Sequence, residues 1–225
     1  MKLKDLFEST GKSVADLGIE YAAGDCVFRN KRLKSLKGSP ELVTGRFDCA
    51  ENQLVSLDGG PRRVDGAFIC YANKISSLVG GPEFVGDKYL CGGNALTTLK
   101  GAPDVINGSF VCALNKLRSL VDGPSIVHGL YRCNQNKIRS FKDVHKHIKE
   151  INGSFVAYDN PIESHVLGLL LINGLKLISL VDDDYVGDLK SVEEILNKHL
   201  GKGRAGMLMA QEELIEAGLE EFAQL

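Results

Sequence analysis

The chain has 225 residues, 44% of them apolar and 25% charged, and its 27 Lys and Arg against 29 Asp and Glu leave a formal charge of −2. That balance argues against a general polyanion binder, though not against a local basic patch, and the composition excludes a collagen, a coiled coil and a disordered tail. No apolar run nears the roughly 18 residues of a membrane span, and the first eight residues carry charges where a secretory signal needs an apolar stretch, so a cytoplasmic protein with no membrane partner is expected.

Residues 1–24 read as an N-terminal cap. Leu3, Leu6 and Phe7 stand at helical spacing, and Ile19 and Tyr21 suit a polar-edged strand. From 25 to 166 the sequence repeats itself. Cys49, Cys70, Cys91, Cys112 and Cys133 are each 21 residues apart, and no C-x-x-C pair of the usual zinc spacing occurs. An aromatic precedes each cysteine by two: Phe47, Phe68, Tyr89, Phe110 and Tyr131. An asparagine follows each by three: Asn52, Asn73, Asn94, Asn115 and Asn136. Then come a branched aliphatic (Leu54, Ile75, Leu96, Leu117, Ile138), a Ser or Thr with an apolar residue, a Gly-x-Pro turn such as Gly80-Gly81-Pro82, and a closing aliphatic at Val64, Val85, Ile106 or Val127. An earlier unit has Cys26 at the aromatic position and Phe28 at the cysteine position. A later one, built on Phe155, Ala157 and Asn160, follows an insertion of three residues.

This unit resembles a leucine-rich repeat, L-x-x-L-x-L-x-x-N-x-L, with the aromatic and the cysteine in place of the strand leucines and the asparagine in register. The resemblance covers about seven units. It implies an α/β repeat fold: a right-handed leucine-rich-repeat solenoid with a parallel sheet on its concave side, short convex turns and helical caps. Alternation along the strand then points Phe68 and Cys70 inward and Ile69 and Tyr71 outward. The cysteines are read as small buried packers, reduced in the cytosol, and the asparagines as inward donors and acceptors for loop backbone. Gly45, Gly66, Asp87, Gly108, Gly129 and Gly153 suit a tight turn with positive φ before each strand. The insertion at 142–150 suits one helical turn.

Residues 167–225 read as a C-terminal helical cap and tail. The Leu-rich stretch 165–172 suits a buried helix stopped by Asn173-Gly174, and 175–180 suits a last strand. Two amphipathic helices follow, one marked by Val192, Ile195, Leu196 and Leu200, the other by Met207, Leu208, Leu214 and Ile215. From 181 onward 11 acids face 4 bases, a net of −7, so the rest of the chain carries +5. The stretch 200–225, with Gln211-Glu212-Glu213-Leu214-Ile215-Glu216-Ala217-Gly218, resembles tails of repeat proteins from tailed bacteriophages, which implies a viral origin and a host cytoplasmic location.

Several motifs are decoys. Gly201-Lys202-Gly203-Arg204-Ala205-Gly206 matches G-x-G-x-x-G but joins two helices, where a dinucleotide site needs a strand before it. His145 and His147 sit among lysines, and Asp182-Asp183-Asp184 lacks the spaced oxygens of a calcium loop. No cofactor, metal or catalytic set is expected, and the chain is read as a non-enzymatic module that binds a host or viral protein.

The binding surface is expected on the outward strand columns. Ile69, Leu90 and Val111 fall side by side near Tyr71, Leu114 and Tyr158, with Asp48 and Glu51 as flanking charges on one side and Arg132 on the other. Self-association, or cover by the chain's own tail, competes with a foreign partner for this patch. A basic rim of Lys34, Lys74, Lys116, Arg118, Lys137 and Arg139 offers a nucleic-acid alternative, and a phosphate or small-molecule site around Lys202 in the tail a further one.

Overall fold

An extended backbone that must bury two side chains two positions apart, coil after coil, stacks most economically as parallel strands in register. The computed structural model, which describes residues 21–225, shows this arrangement twice per coil. The elements run β1 (Tyr21–Ala22), β2 (Cys26–Val27), β3 (Leu42–Val43), β4 (Phe47–Asp48), β5 (Arg63–Val64), β6 (Phe68–Ile69), β7 (Phe84–Val85), β8 (Tyr89–Leu90), β9 (Val105–Ile106), β10 (Phe110–Val111), β11 (Ile126–Val127), β12 (Tyr131–Arg132), α1 (Val144–His147), β13 (Glu150–Ile151), β14 (Ser154–Val156), a 3-10 helix (Leu167–Leu171), β15 (Leu177–Ser179), α2 (Asp188–His199) and α3 (Gly203–Glu216). The N-terminal expectations built on Leu3, Leu6, Phe7 and Ile19 lie outside the described residues.

The result is a parallel β-solenoid of about seven turns with a 21-residue period. One eight-stranded sheet runs β15-β14-β12-β10-β8-β6-β4-β2. Its register pairs each residue with its repeat equivalent, as in Phe47 with Phe68, Phe68 with Tyr89 and Tyr89 with Phe110. A second side carries two further parallel sheets, β1-β3-β5-β7 and β13-β11-β9, at the closing aliphatics. Sequence reading placed only short turns there. The strands are two residues long and alternate an exposed side chain such as Arg63 with a buried one such as Val64, a signal too short for periodicity to report.

Side-chain parity builds the core. Phe47, Phe68, Tyr89, Phe110, Tyr131 and Phe155 are fully buried and stack through the coils, with neighbouring ring centroids 5.1 Å apart for Phe68 and Tyr89 and 5.8 Å for Phe47 and Phe68. The five periodic cysteines and the columns Leu54 to Ile138 and Val43 to Val127 are equally dry. At about 1.5–3 kcal/mol for each buried apolar side chain, stacking rather than any one coil's own content holds the fold.

The asparagines act as expected. Asn115 Oδ1 accepts from Leu96 N at 3.0 Å, while Nδ2 donates to Cys91 O at 3.2 Å, Cys112 O at 3.0 Å and Ala113 O at 3.1 Å. Each amide thus closes its own turn and ties it to the coil before. Asn52, Asn73, Asn94, Asn136 and Asn160 do the same.

The glycine expectation is corrected. None of Gly45, Gly66, Asp87, Gly108, Gly129 and Gly153 has positive φ, though Gly24, their equivalent in the first coil, does at 86°. A left-handed column falls instead on the residue ahead of the asparagine position, at Asn30 (ahead of Lys31), Glu51, Ala72, Gly93, Leu114, Gln135 and Asp159, all between 53° and 60°. Gly45, Gly66, Gly108, Gly129 and Gly153 serve a different need, close stacking of consecutive coils. A Cβ on Gly66 would stand 2.7 Å from Gly45 C, and one on Gly153 2.5 Å from Gly129 O.

The three-residue insertion folds as the single turn α1, and the Leu-rich stretch as a buried 3-10 helix rather than an α-helix. Helix α2 packs along β15, and α3 packs on α2 and the 3-10 helix. Lys198 and His199 of α2 both reach Glu213 of α3, at 2.8 Å each. Among the described residues no helix is long and apolar enough to cross a membrane.

Candidate functional site

On the eight-stranded sheet, the residue between each aromatic and its cysteine points away from the core. Register places Ile69 beside Leu90, Leu90 beside Val111, and Val111 beside Arg132. The next column outward loses its bulk in the middle. It runs from Tyr71 through Gly92 and Ala113 to Asn134, so a shallow trough of about 400 Å³ opens over small residues. Leu90 and Val111 line one side, and Leu114, 57% exposed, stands on the other. Every lining residue falls between positions 71 and 135, so the C-terminal helices do not contribute to it.

Two arginine–tyrosine pairs bracket this trough. At one end Arg29 lies over the Tyr71 ring, 5.0 Å from its centroid, and donates to the Tyr71 hydroxyl. The same guanidinium donates to Asp48 Oδ2 at 2.8 and 3.1 Å and to Glu51 Oε1 at 3.4 Å, and the Asp48 hydrogen bond raises the Arg29 pKa. At the other end Arg132 lies 5.6 Å from the Tyr158 ring centroid and donates to the Tyr158 hydroxyl. Its Nε donates to Asn134 Oδ1 at 2.7 Å.

The expected surface residues are thus brought together, with one correction. Asp48 is on the outward column but is only 3% exposed, because the Arg29 guanidinium covers it and Ala50 N donates to its other oxygen at 3.1 Å. It anchors Arg29 and is not a rim charge; Glu51 is the exposed acid at that end. Sequence reading did not foresee the arginine–tyrosine pairs. Arg29, Tyr71 and Tyr158 share one column, and Arg29 reaches Tyr71 two coils away, a span that strand-neighbour reasoning does not cover.

The basic rim follows the sheet. Lys34, Lys74, Lys116, Arg118 and Lys137 are exposed, and none of them forms a salt bridge among the described residues. Arg139 is instead paired with Glu163, its Nε 3.0 Å from Oε2. The rim is broken by Gln53 and Ala95 in one column and by Val55, Ser76 and Thr97 in the other.

The remaining chemistry is inward or dispersed. All six cysteines are free and buried. Burial pushes the Cys26 thiol up to about 11, with Asp25 adding to it, and holds Cys70, Cys91 and Cys133 well above the ordinary value. Burial draws the His145 imidazole down, and His147 beside it is exposed. No group of three or more metal-ligating side chains forms among the described residues. The glycine-rich stretch around Lys202 joins α2 to α3 with no strand before it. Comparison with known proteins finds no matching family model, no matching curated protein and no matching solved structure.

Proposed function

We propose that the chain is a non-enzymatic protein-binding module and that it binds through the outer face of the aromatic–cysteine sheet. In this reading the sheet is the concave face of a divergent leucine-rich repeat, and the chain is bacteriophage-encoded and acts on a host or viral protein in the host cytoplasm. The observation that supports it is the run of Ile69, Leu90 and Val111 in one register, with Leu114 exposed beside them and a polar group at each end. An apolar centre with a polar rim is the anatomy of a protein interface.

The test is Leu90→Glu, alone and with Ile69→Glu. Position 90 lies between inward Tyr89 and Cys91 and faces outward, so the free protein should fold with an unchanged circular dichroism spectrum. Capture of a partner from host cells should be lost. Unimpaired capture would overturn the reading. The unpaired lysines and arginine of the rim favour a second reading, phosphate contact with a nucleic acid. Neutralising Lys116 and Arg118 separates the two, because only the second predicts lost, steeply salt-dependent binding.

A further inference from the structure

The two ends of the trough differ in charge, and the difference selects what fits. At the Tyr71 end, Arg29 is matched by Asp48 and outweighed once Glu51 is counted, so that cluster carries a net negative charge. At the other end Arg132 has no carboxylate within salt-bridge distance among the described residues. Its partners are Asn134 and Tyr158, both neutral, and Asn134 is itself buried, so the guanidinium is held at the mouth of the trough with no carboxylate on it. Asp159, the exposed acid beside Tyr158, forms no ion pair with it and leaves this end without the net negative charge of the Tyr71 end. A planar fork fixed in this way favours a carboxylate.

We propose that the trough takes a short apolar segment of another protein with an acidic side chain seated on Arg132 and the far end directed toward Glu51. This rests on the protein-binding reading above and adds its chemistry and direction. Three strand steps separate Ile69 from Arg132, about 14 Å, which about four extended residues span. Glu51 repels a carboxylate at its own end and so opposes the reversed orientation.

The test uses an array of fluorescent hexapeptides: four positions drawn from Leu, Ile, Val and Phe, closed on one side by Glu or by Gln, with Lys or Ala on the other. Affinity is read by fluorescence anisotropy against the full chain. Glu-closed peptides should bind about tenfold more tightly than their Gln counterparts, with the advantage shrinking in high salt. Arg132→Gln should erase the difference. Arg132→Lys, which keeps the charge without the fork, should keep part of it and controls for loss of fold. Leu90→Glu should weaken both peptide classes. If Arg132→Gln leaves the Glu preference unchanged while Leu90→Glu abolishes binding, the carboxylate proposal fails and the protein-binding reading stands. Failure of every peptide, or saturable binding of decanoate in their place, overturns the proposal.

Discussion

The side-chain amide of Asn197 pairs with the backbone of Ile178 as a neighbouring strand would, Nδ2 donating to Ile178 O at 2.7 Å and Oδ1 accepting from Ile178 N at 2.9 Å. One turn earlier on the same helix, Glu193 accepts from the backbone N–H groups of Leu180 and Val181. Helix α2 therefore satisfies the free edge of the eight-stranded sheet with side chains, and no further strand can add there.

Asn197→Ala should lower stability by about 1–3 kcal/mol by stranding the Ile178 donor and acceptor, and should make the protein prone to associate edge to edge. Urea denaturation and light scattering check the two effects. An unchanged midpoint would mean that water replaces the amide at no cost.

Asn115→Ala should cost about 1–3 kcal/mol, since Leu96 N and three carbonyls lose their partner together. Asn115→Asp should cost more at neutral pH. A carboxylate keeps the acceptor for Leu96 N but turns the remaining lone pairs on Cys91 O, Cys112 O and Ala113 O. Thermal melts of the two variants side by side decide the order.

Alkali should unfold the protein early. The ordinary thiol value is 9.0, and burial holds Cys70, Cys91 and Cys133 well above it. Cys49 and Cys112 are shifted in the same direction. Above pH 9.0 the unfolded chain sheds these protons and the folded chain keeps them, so stability present below that pH falls as pH rises. Each such thiol steepens the fall by up to about 1.4 kcal/mol per pH unit. The phenols of Tyr89 and Tyr131, also raised by burial, add to it above pH 10.0. Urea midpoints should be level near neutrality and drop above pH 9.0, and Cys70→Ala with Cys112→Ala should flatten the slope.

Gly66→Ala should destabilise by about 1–3 kcal/mol through overpacking, because the new methyl meets backbone that cannot yield locally. Gly24→Ala tests the other effect: nothing lies within 4 Å of its Cβ, so only its φ of 86° resists the change. A smaller loss at 66 than at 24 would mean the coils can slide apart.

The aromatic and cysteine columns were legible because a strict period and strand parity act on every coil alike. So was the asparagine column, since an inward amide must find backbone partners. The glycines misled because a glycine can answer either of two requirements, positive φ or close approach; at Gly66 it is close approach, and sequence does not say which one applies. The left-handed column escaped notice because Glu51, Ala72 and Leu114 share no residue type; the turn geometry imposes the conformation, and only Gly93 adopts it without steric cost. At the site, the apolar centre followed from parity. The burial of Asp48 did not, because its cover comes from Arg29 in the coil before and depends on where a long side chain lies.

On the aromatic–cysteine sheet every coil offers the next the same set of pairings, Phe68 N to Lys88 O and Cys70 N to Leu90 O, and the next coil repeats the pattern with Tyr89 N to Ser109 O and Cys91 N to Val111 O. A coil is therefore an interchangeable part. Duplicating or excising one whole 21-residue period in the regular stretch rejoins equivalent donors and acceptors, whereas a change of one residue within a strand throws aromatics to the wrong side. Extra residues are accommodated only where a loop takes them up, as α1 does between Tyr131 and Phe155. Tandem duplication of a central coil would widen the trough by one strand spacing, about 4.8 Å, and leave both arginine–tyrosine ends as they are, so recognition length can change by whole steps without redesign of the core.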